Sequence, residues 1–418
     1  MKERNQRKGG NGLDRINETF LKILKAALLG EQFSESAELS EEEWKSLLKL
    51  AEIHNVLPLV YQSAFKLAKT SDMPDLRSKI RRLVMMQTVK TAEFTKCYNA
   101  LEKAGAEPVV VKGFVCRLLY PQPDLRLSGD EDILIPKEQF ELCHRSLMEQ
   151  EMFTNVAEEN LREAYEVPYC KKNGALYIEL HKSLFPPESD AYGDWNVFFE
   201  KALENKIEIG GVKTLCHTDH LFYLICHAFK HFLHSGFGIR QVCDIVMYAN
   251  AYGNKVDWEK VYDNCLKINA QVFAAALFCI GKKYLVFDEK KACYPSFWKE
   301  IETDESDMLE DLLSAGVFGG ATMSRRHSSN MTLGAVSDDK KGKKAKASLK
   351  SALFPAAKSL ENRYPYLKKH PFLLPFAWLS RILTYLTKKN KAAGDSAAES
   401  VKIGSERVEL LRKYKVIK

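Results

Sequence analysis

From Leu13 to about Ala104, apolar positions recur at three- and four-residue intervals, the mark of amphipathic helices. Ser40 stands where a helix cap is needed, Glu43 is placed to return the bond, and Trp44, Leu47, Leu48 and Ala51 follow on one face. The period changes at "AEPVVVKG", where Val109 to Val111 form a short β-branched run ending in glycine, a buried strand. "FVCRLLY" then predicts a helix stopped by "PQPD", "DILI" a second strand ended by Pro136, and "KEQFELCHRSLMEQE" an amphipathic helix. "AYEVPYCKK" and "ALYIELHKSL" flank Asn173-Gly174, a strong hairpin signal. In the second of these strands Leu176, Ile178 and Leu180 share one face, and Tyr177, Glu179 and His181 the other. Helical spacing returns from about Thr218 in "TDHLFYLICHAFKHFLH", "RQVCDIVMYANAY" and "WEKVYDNCLKINAQVFAAALFCIGKKYL".

This order predicts an α+β protein in which a small mixed sheet is flanked by helical regions. The expected division is a disordered tail at 1–13, helices at 14–104, the α/β core at 105–210 and a helical domain at 211–318. A flexible basic loop at 319–348 and a C-terminal helical segment at 349–418 follow. The net charge of +7 is diffuse and includes no basic-aromatic module, so it permits phosphate-bearing partners without indicating a nucleic-acid binder. Ten cysteines without a CxxC pair, mostly in apolar segments, read as reduced thiols. No secretory signal is visible, and the longest apolar stretch, "PFLLPFAWLSRILTYL", is broken by proline and too short to span a bilayer. A cytoplasmic location is expected; that stretch is expected to pack on the helical domain rather than to contact a membrane surface.

The candidate chemistry lies in "LRLSGDEDILI". Asp130 and Asp132 are two apart at the start of a strand, so they project from one face about 7 Å apart along the backbone. Unpaired, they would repel each other and resist desolvation; Mg²⁺, which takes oxygen ligands and substrate phosphates, resolves that. Glu179, on the polar face of an apolar strand, is the candidate third acid of a two-metal site, an arrangement suited to in-line displacement at phosphorus.

"VVVKGFVCRLLYPQPDLRLSGDEDILI" resembles the nucleotidyltransferases of the polymerase-β-like superfamily, and most resembles the bacterial branch known as uncharacterised nucleotidyltransferase family proteins. "WKSLLKLAEIHNVLPLVYQSAF", "IELHKSLF", "HLFYLICHAFKHF", "GVFGGATMSRRHSS" and "YPYLKKHPFLLPFAWLSRI" are similar to other segments of that branch, so the resemblance covers most of the chain. It implies a nucleotidyltransferase core in which Asp130, Asp132 and Glu179 hold two Mg²⁺ ions, with a nucleoside triphosphate as substrate and an acceptor that is not identified. Lys112-Gly113 takes the place of the superfamily's phosphate turn, and Gly129 adjoins the aspartates. Two departures stand out. The turn has lysine and no serine, and Glu131 stands between the aspartates where an apolar residue is common, so it is either exposed at the strand edge or on another register. These departures motivate the alternative of a non-catalytic nucleotide-binding or interaction protein that retains the fold.

The remaining candidates carry two readings each. Lys112 is a solvated strand-end lysine or a phosphate contact, and Arg126 a carboxylate partner or a phosphate clamp. His181 is a nucleotide-site residue or a histidine bonded to nearby backbone. His220, His227, His231 and His234 form one helical stripe, expected to pack on the sheet rather than to bind zinc. "SRRHSSNMT" is a mobile connector or a lid that recognises the acceptor.

Overall fold

The computed structural model describes residues 13–35, 39–65, 74–172, 174–187, 189, 191–316, 323–342, 360, 364–387 and 397–418. Among the described residues four helices come first: α1 (Arg15–Leu29), α2 (Glu41–Ile53), α3 (Leu57–Ala64) and α4 (Pro74–Lys103). The Ser40–Glu43 capping box forms as expected and starts α2.

The sheet has seven strands: β1 (Val109–Val111), β2 (Glu131–Leu134), β3 (Met152–Phe153), β4 (Glu166–Lys171), β5 (Tyr177–His181), β6 (Ile207–Ile209) and β7 (Val212–Thr214). Their spatial order is β3-β4-β5-β2-β1-β7-β6. β2 lies at the centre, antiparallel to β1 and parallel to β5. Its four residues are all buried, which explains the apolar run. Between β1 and β2 comes α5 (Gly113–Arg117); between β2 and β3 comes α6 (Phe140–Glu149), and between β3 and β4 the short α7 (Glu158–Leu161). The β4–β5 hairpin forms; Asn173 of its turn lies outside the described residues. β6 and β7 extend the sheet past residue 210. They pair around Gly210-Gly211, both at positive φ, a conformation that glycine adopts without strain.

α8 (His217–Leu233), α9 (Ile239–Tyr252), α10 (Trp258–Lys267) and α11 (Gln271–Tyr284) form the helical layer, and its buried face is continuous with the sheet core. The short α12 (Ser296–Lys299) and α13 (Ser306–Ala315) follow. Two expectations are corrected here. Residues 323–340, expected within a flexible loop, form the helix α14 (Met323–Lys340). Its sequence, with four serines, a threonine, an asparagine and a glycine, is a poor helix former, but tertiary packing overrides propensity: Met331, Ala335 and Val336 are buried, and the Arg325 guanidinium donates to Asp311 Oδ1 at 2.6 Å. The helix Ala397–Lys413 packs along it, with Gly404 against Met331. None of the described side chains of the segment around 371–387 joins the main core. Leu360, Leu367 and Ala377 form a small separate cluster, and Phe372 and Phe376 remain 72% and 66% exposed. Among the described residues no helix is long and apolar enough to cross a membrane.

Candidate functional site: an acidic cleft with cationic walls

Strand β1 delivers Lys112 to the end of the sheet, where its backbone turns at φ 43°, unusual for a residue with a side chain. The turn is held from outside. Lys112 N–H donates to His220 Nε2 at 3.2 Å, and His220 Nδ1 lies 3.1 Å from Thr214 Oγ1, whose own proton goes to Val110 O at 2.6 Å. This network places the His220 proton on Nδ1. Burial lowers the His220 pKa to about 3, so the ring stays neutral. Gly113 follows because nothing larger fits: a Cβ there would collide with the Glu131 carboxylate.

Glu131 is neither exposed nor out of register. It sits on the opposite face of β2 from Asp132 and is ion-paired with Arg117 of α5, both nearly fully buried. Ser128 Oγ donates to the same carboxylate at 2.7 Å.

On the cleft face, β2 and β5 run parallel with Asp132 opposite Glu179 and Leu134 opposite His181. His181 Nε2 is 3.1 Å from Asp132 Oδ1 and 3.6 Å from Glu179 Oε2. Ligand atoms of Asp132, Glu179 and His181 lie within 4.8 Å of one another. Asp130 stands one residue before the strand, and the Lys112 ammonium ties the two aspartates together: its Nζ is 2.9 Å from Asp132 Oδ2 and 3.4 Å from Asp130 Oδ2. His227 Nε2 is a third neighbour of that ammonium at 3.1 Å. Glu166 of β4 approaches His181 Nδ1 at 3.7 Å.

Charge divides the two aspartates. Burial raises the Asp130 pKa, but Lys112 and Arg240 outweigh it and bring the group down to about 2. Asp132 is held above the usual carboxylate range by burial, against the pull of Lys112. Burial alone would lower His181; the Asp132 and Glu179 carboxylates overcome it and raise the imidazole to about 9. His181 is therefore a cationic donor at neutral pH, bonded to side chains rather than to backbone.

The cleft has a volume of about 200 Å³. Its floor is the acids; its walls come from α8 (Tyr223, His227, Lys230, His231) and α9 (Arg240, Gln241, Asp244). Arg126 also lines it, resolved here as a carboxylate partner: Nε and Nη2 donate to Asp244 at 3.1 and 2.6 Å, while Nη1 has no hydrogen-bond partner among the described residues. Arg240 donates to Leu127 O at 2.6 Å, leaving Nε without one. Gly113 and His181 line the cleft; Gly129 and His234 do not. Arg325 of "SRRHSSNMT" is buried against Asp311, away from the cleft. The sequence reading missed Tyr223, Lys230, Arg240 and Glu166. Tyr223 and Lys230 fall on the histidine stripe at three- and ten-residue offsets from His220, so the same periodicity marks them.

The donors fit a hard divalent cation. Asp132 Oδ2 is buried and accepts no hydrogen bond of good geometry, although Lys112 Nζ is near it, and Asp130 and Glu179 add oxygen donors. The His181 ring is a further possible donor in the same group as Asp132 and Glu179, and its Nε2 lies 3.1 Å from Asp132 Oδ1.

A mixed sheet with helical flanks, presenting acids under a cation-lined cleft, is the architecture of a nucleotidyltransferase core. The chain belongs to the family described as uncharacterised nucleotidyltransferase, whose model matches residues 40–285, and it is a transferase enzyme. The matched span runs from α2 to α11 and contains every cleft residue named above. No curated protein and no solved structure matches the chain.

Proposed function

We propose that the protein moves a nucleotidyl group from a nucleoside triphosphate to a hydroxyl or phosphate acceptor in a Mg²⁺-dependent reaction. The observation that carries this reading is the parallel register of Asp132 and Glu179, which brings acids from two strands together beside Asp130. Asp130, Asp132 and Glu179 would hold the ions, two by analogy with the superfamily; when bound, they supply charge neutralisation at the attacking and leaving oxygens. The protein's own groups do the rest. Lys230 and Arg240, facing the acids across the cleft, bind and orient the triphosphate, assisted by Arg126 Nη1 and the Gly113 turn. His181 fixes the orientation of Asp132 and Glu179. The acceptor oxygen bonds to the α-phosphorus, the bond to the bridging oxygen breaks, and pyrophosphate leaves. The acceptor proton passes to a Glu179 oxygen, which is partly open to solvent.

The test is pyrophosphate release from each of the four common triphosphates with Mg²⁺ or Mn²⁺. Asp132→Asn should lower it by about a thousandfold, the scale seen when one preorganised electrostatic group is lost; undiminished release would sink the assignment. Lys112, already neutralising both aspartates, favours one other reading, a protein that binds nucleotide without transferring it. Calorimetry showing triphosphate binding with no pyrophosphate formed under any acceptor would select that reading.

A further inference from the structure

We propose that Lys112 is a resident counter-cation which occupies the place of a divalent ion and leaves it only when a triphosphate offers the ammonium a new partner. The inference rests on the nucleotidyltransferase reading and adds an order of loading to it.

The position of the ammonium is specific. It reaches carboxylate oxygens of both Asp130 and Asp132, so it spans the pair as a bridging cation does. Its third neighbour, the His227 ring nitrogen, is an acceptor that matches an ammonium proton and offers nothing to the carboxylates. A divalent ion coordinated by Asp132 Oδ2 would share that oxygen with the ammonium, whose Nζ is 2.9 Å from it, and two cations held on one oxygen repel strongly in a buried site. One must yield.

The backbone supports the assignment. Residue 112 stands at φ 43° and ψ −108°, where glycine is at ease and lysine is strained. A turn that needed only its conformation would be served better by glycine. The chain keeps lysine there, braced by the His220 acceptor, and its side chain enters the carboxylate pair. Lys112 also borders the same cleft as Lys230 and Arg240, so rotation about its own side chain brings the ammonium to phosphates lying on that wall. Ion and nucleotide then bind cooperatively: the free protein holds divalent ions poorly, and the triphosphate both recruits the lysine and brings its own ion.

The experiment measures Mn²⁺ binding without nucleotide, by electron paramagnetic resonance of the free ion, for the wild type, Lys112→Met and Lys112→Gly. Both variants should bind Mn²⁺ at least about tenfold more tightly than the wild type, a factor equal to about 1.4 kcal/mol. Lys112→Gly relaxes the turn, so it guards against a folding defect. Thermal melting gives a second readout: Mn²⁺ should raise the midpoint of both variants and leave the wild type almost unmoved. A non-hydrolysable triphosphate should tighten wild-type Mn²⁺ binding by a similar factor. Variants that bind Mn²⁺ no more tightly than the wild type overturn the proposal. If instead the wild type takes up neither ion nor triphosphate in any combination while the variants do gain Mn²⁺ affinity, the functional reading fails and the placeholder stands.

Discussion

Two acids one residue apart meet opposite fates on the two faces of β2. Glu131 and Asp132 are equally inaccessible, each 1% exposed, so burial does not distinguish them. Their partners do. Glu131 lies on the closed side, where Arg117 pairs with it, Ser128 donates to it, and α4 seals the group through Thr91 and Gln87. Asp132 lies on the cleft side and shares a lysine and a histidine with Asp130, Glu179 and Glu166. On the closed side each charge has a dedicated partner and nowhere to go. On the cleft side the acids outnumber their contacting cations, and no acid has a partner of its own. The proposed function draws on the side where the pairing is shared; stability draws on the side where it is fixed.

The largest effect that separates the two faces is on folding. Glu131→Ala leaves Arg117 buried without its partner and should cost about 3–5 kcal/mol, measured by urea denaturation. Replacing both members, Glu131→Met with Arg117→Met, should recover most of that loss, because the desolvation of both charges disappears together. Asp132→Asn should stay within about 1 kcal/mol of wild type, since relief of crowding among acids offsets the weakened contact with Lys112. Equal losses at the two positions would erase the distinction between the faces.

The cleft face was more legible in the sequence than the closed one. The spacing of Asp130 and Asp132 and the alternation around Glu179 follow from the two-residue period of a strand, a local property. Glu131 was unreadable because its partner comes from α5, across a turn whose geometry depends on Gly113 lying beneath the carboxylate. Lys230 and Tyr223 were legible in principle, being on a stripe already noticed for its histidines, whereas Arg240 enters from a different helix. In the fold, the β6–β7 hairpin carried its own signal, Gly210-Gly211 between "IEI" and "VKT", and belonged to the sheet. Helix α14 carried none. It exists because Met331 and Ala335 find a buried face, and propensity cannot report that.

Acid sensitivity sharpens the comparison at a third buried position. His54, at the end of α2, donates from Nε2 to Leu313 O at 3.2 Å and accepts at Nδ1 from Ile239 N–H at 3.3 Å. Both nitrogens are engaged as a neutral ring engages them, and burial lowers its pKa to about 4. A folded value below the unfolded one means that the proton favours the unfolded chain. The contribution is full above about pH 6.5 and is lost as pH falls toward 4, amounting to about 3 kcal/mol. His220 and His231, lowered to about 3 by burial, add to the same acid loss. His54→Gln should therefore be less stable than wild type at pH 7, with the gap narrowing by pH 5 in denaturant titrations. A gap that does not change with pH would show that the ring is not titrating as a closed group.

The smallest expected effect tests whether a cationic side chain on the cleft face acts through the acids it touches. His181 stands between Asp132 and Glu179 and approaches Glu166 with its other nitrogen. If its task is to orient carboxylates, His181→Gln, which keeps one donor and removes the charge, should lower turnover about 10–100-fold, the range typical of groups that support ligands from behind. That is about 1.4–2.7 kcal/mol of barrier, less than the folding loss at Glu131. The Michaelis constant for the triphosphate should hold within about twofold, since no cationic wall group is removed. Unchanged turnover with a large loss of stability would move His181 to the closed class, beside Arg117, and leave the cleft with Lys112 as the one movable cation contacting its aspartates among the described residues.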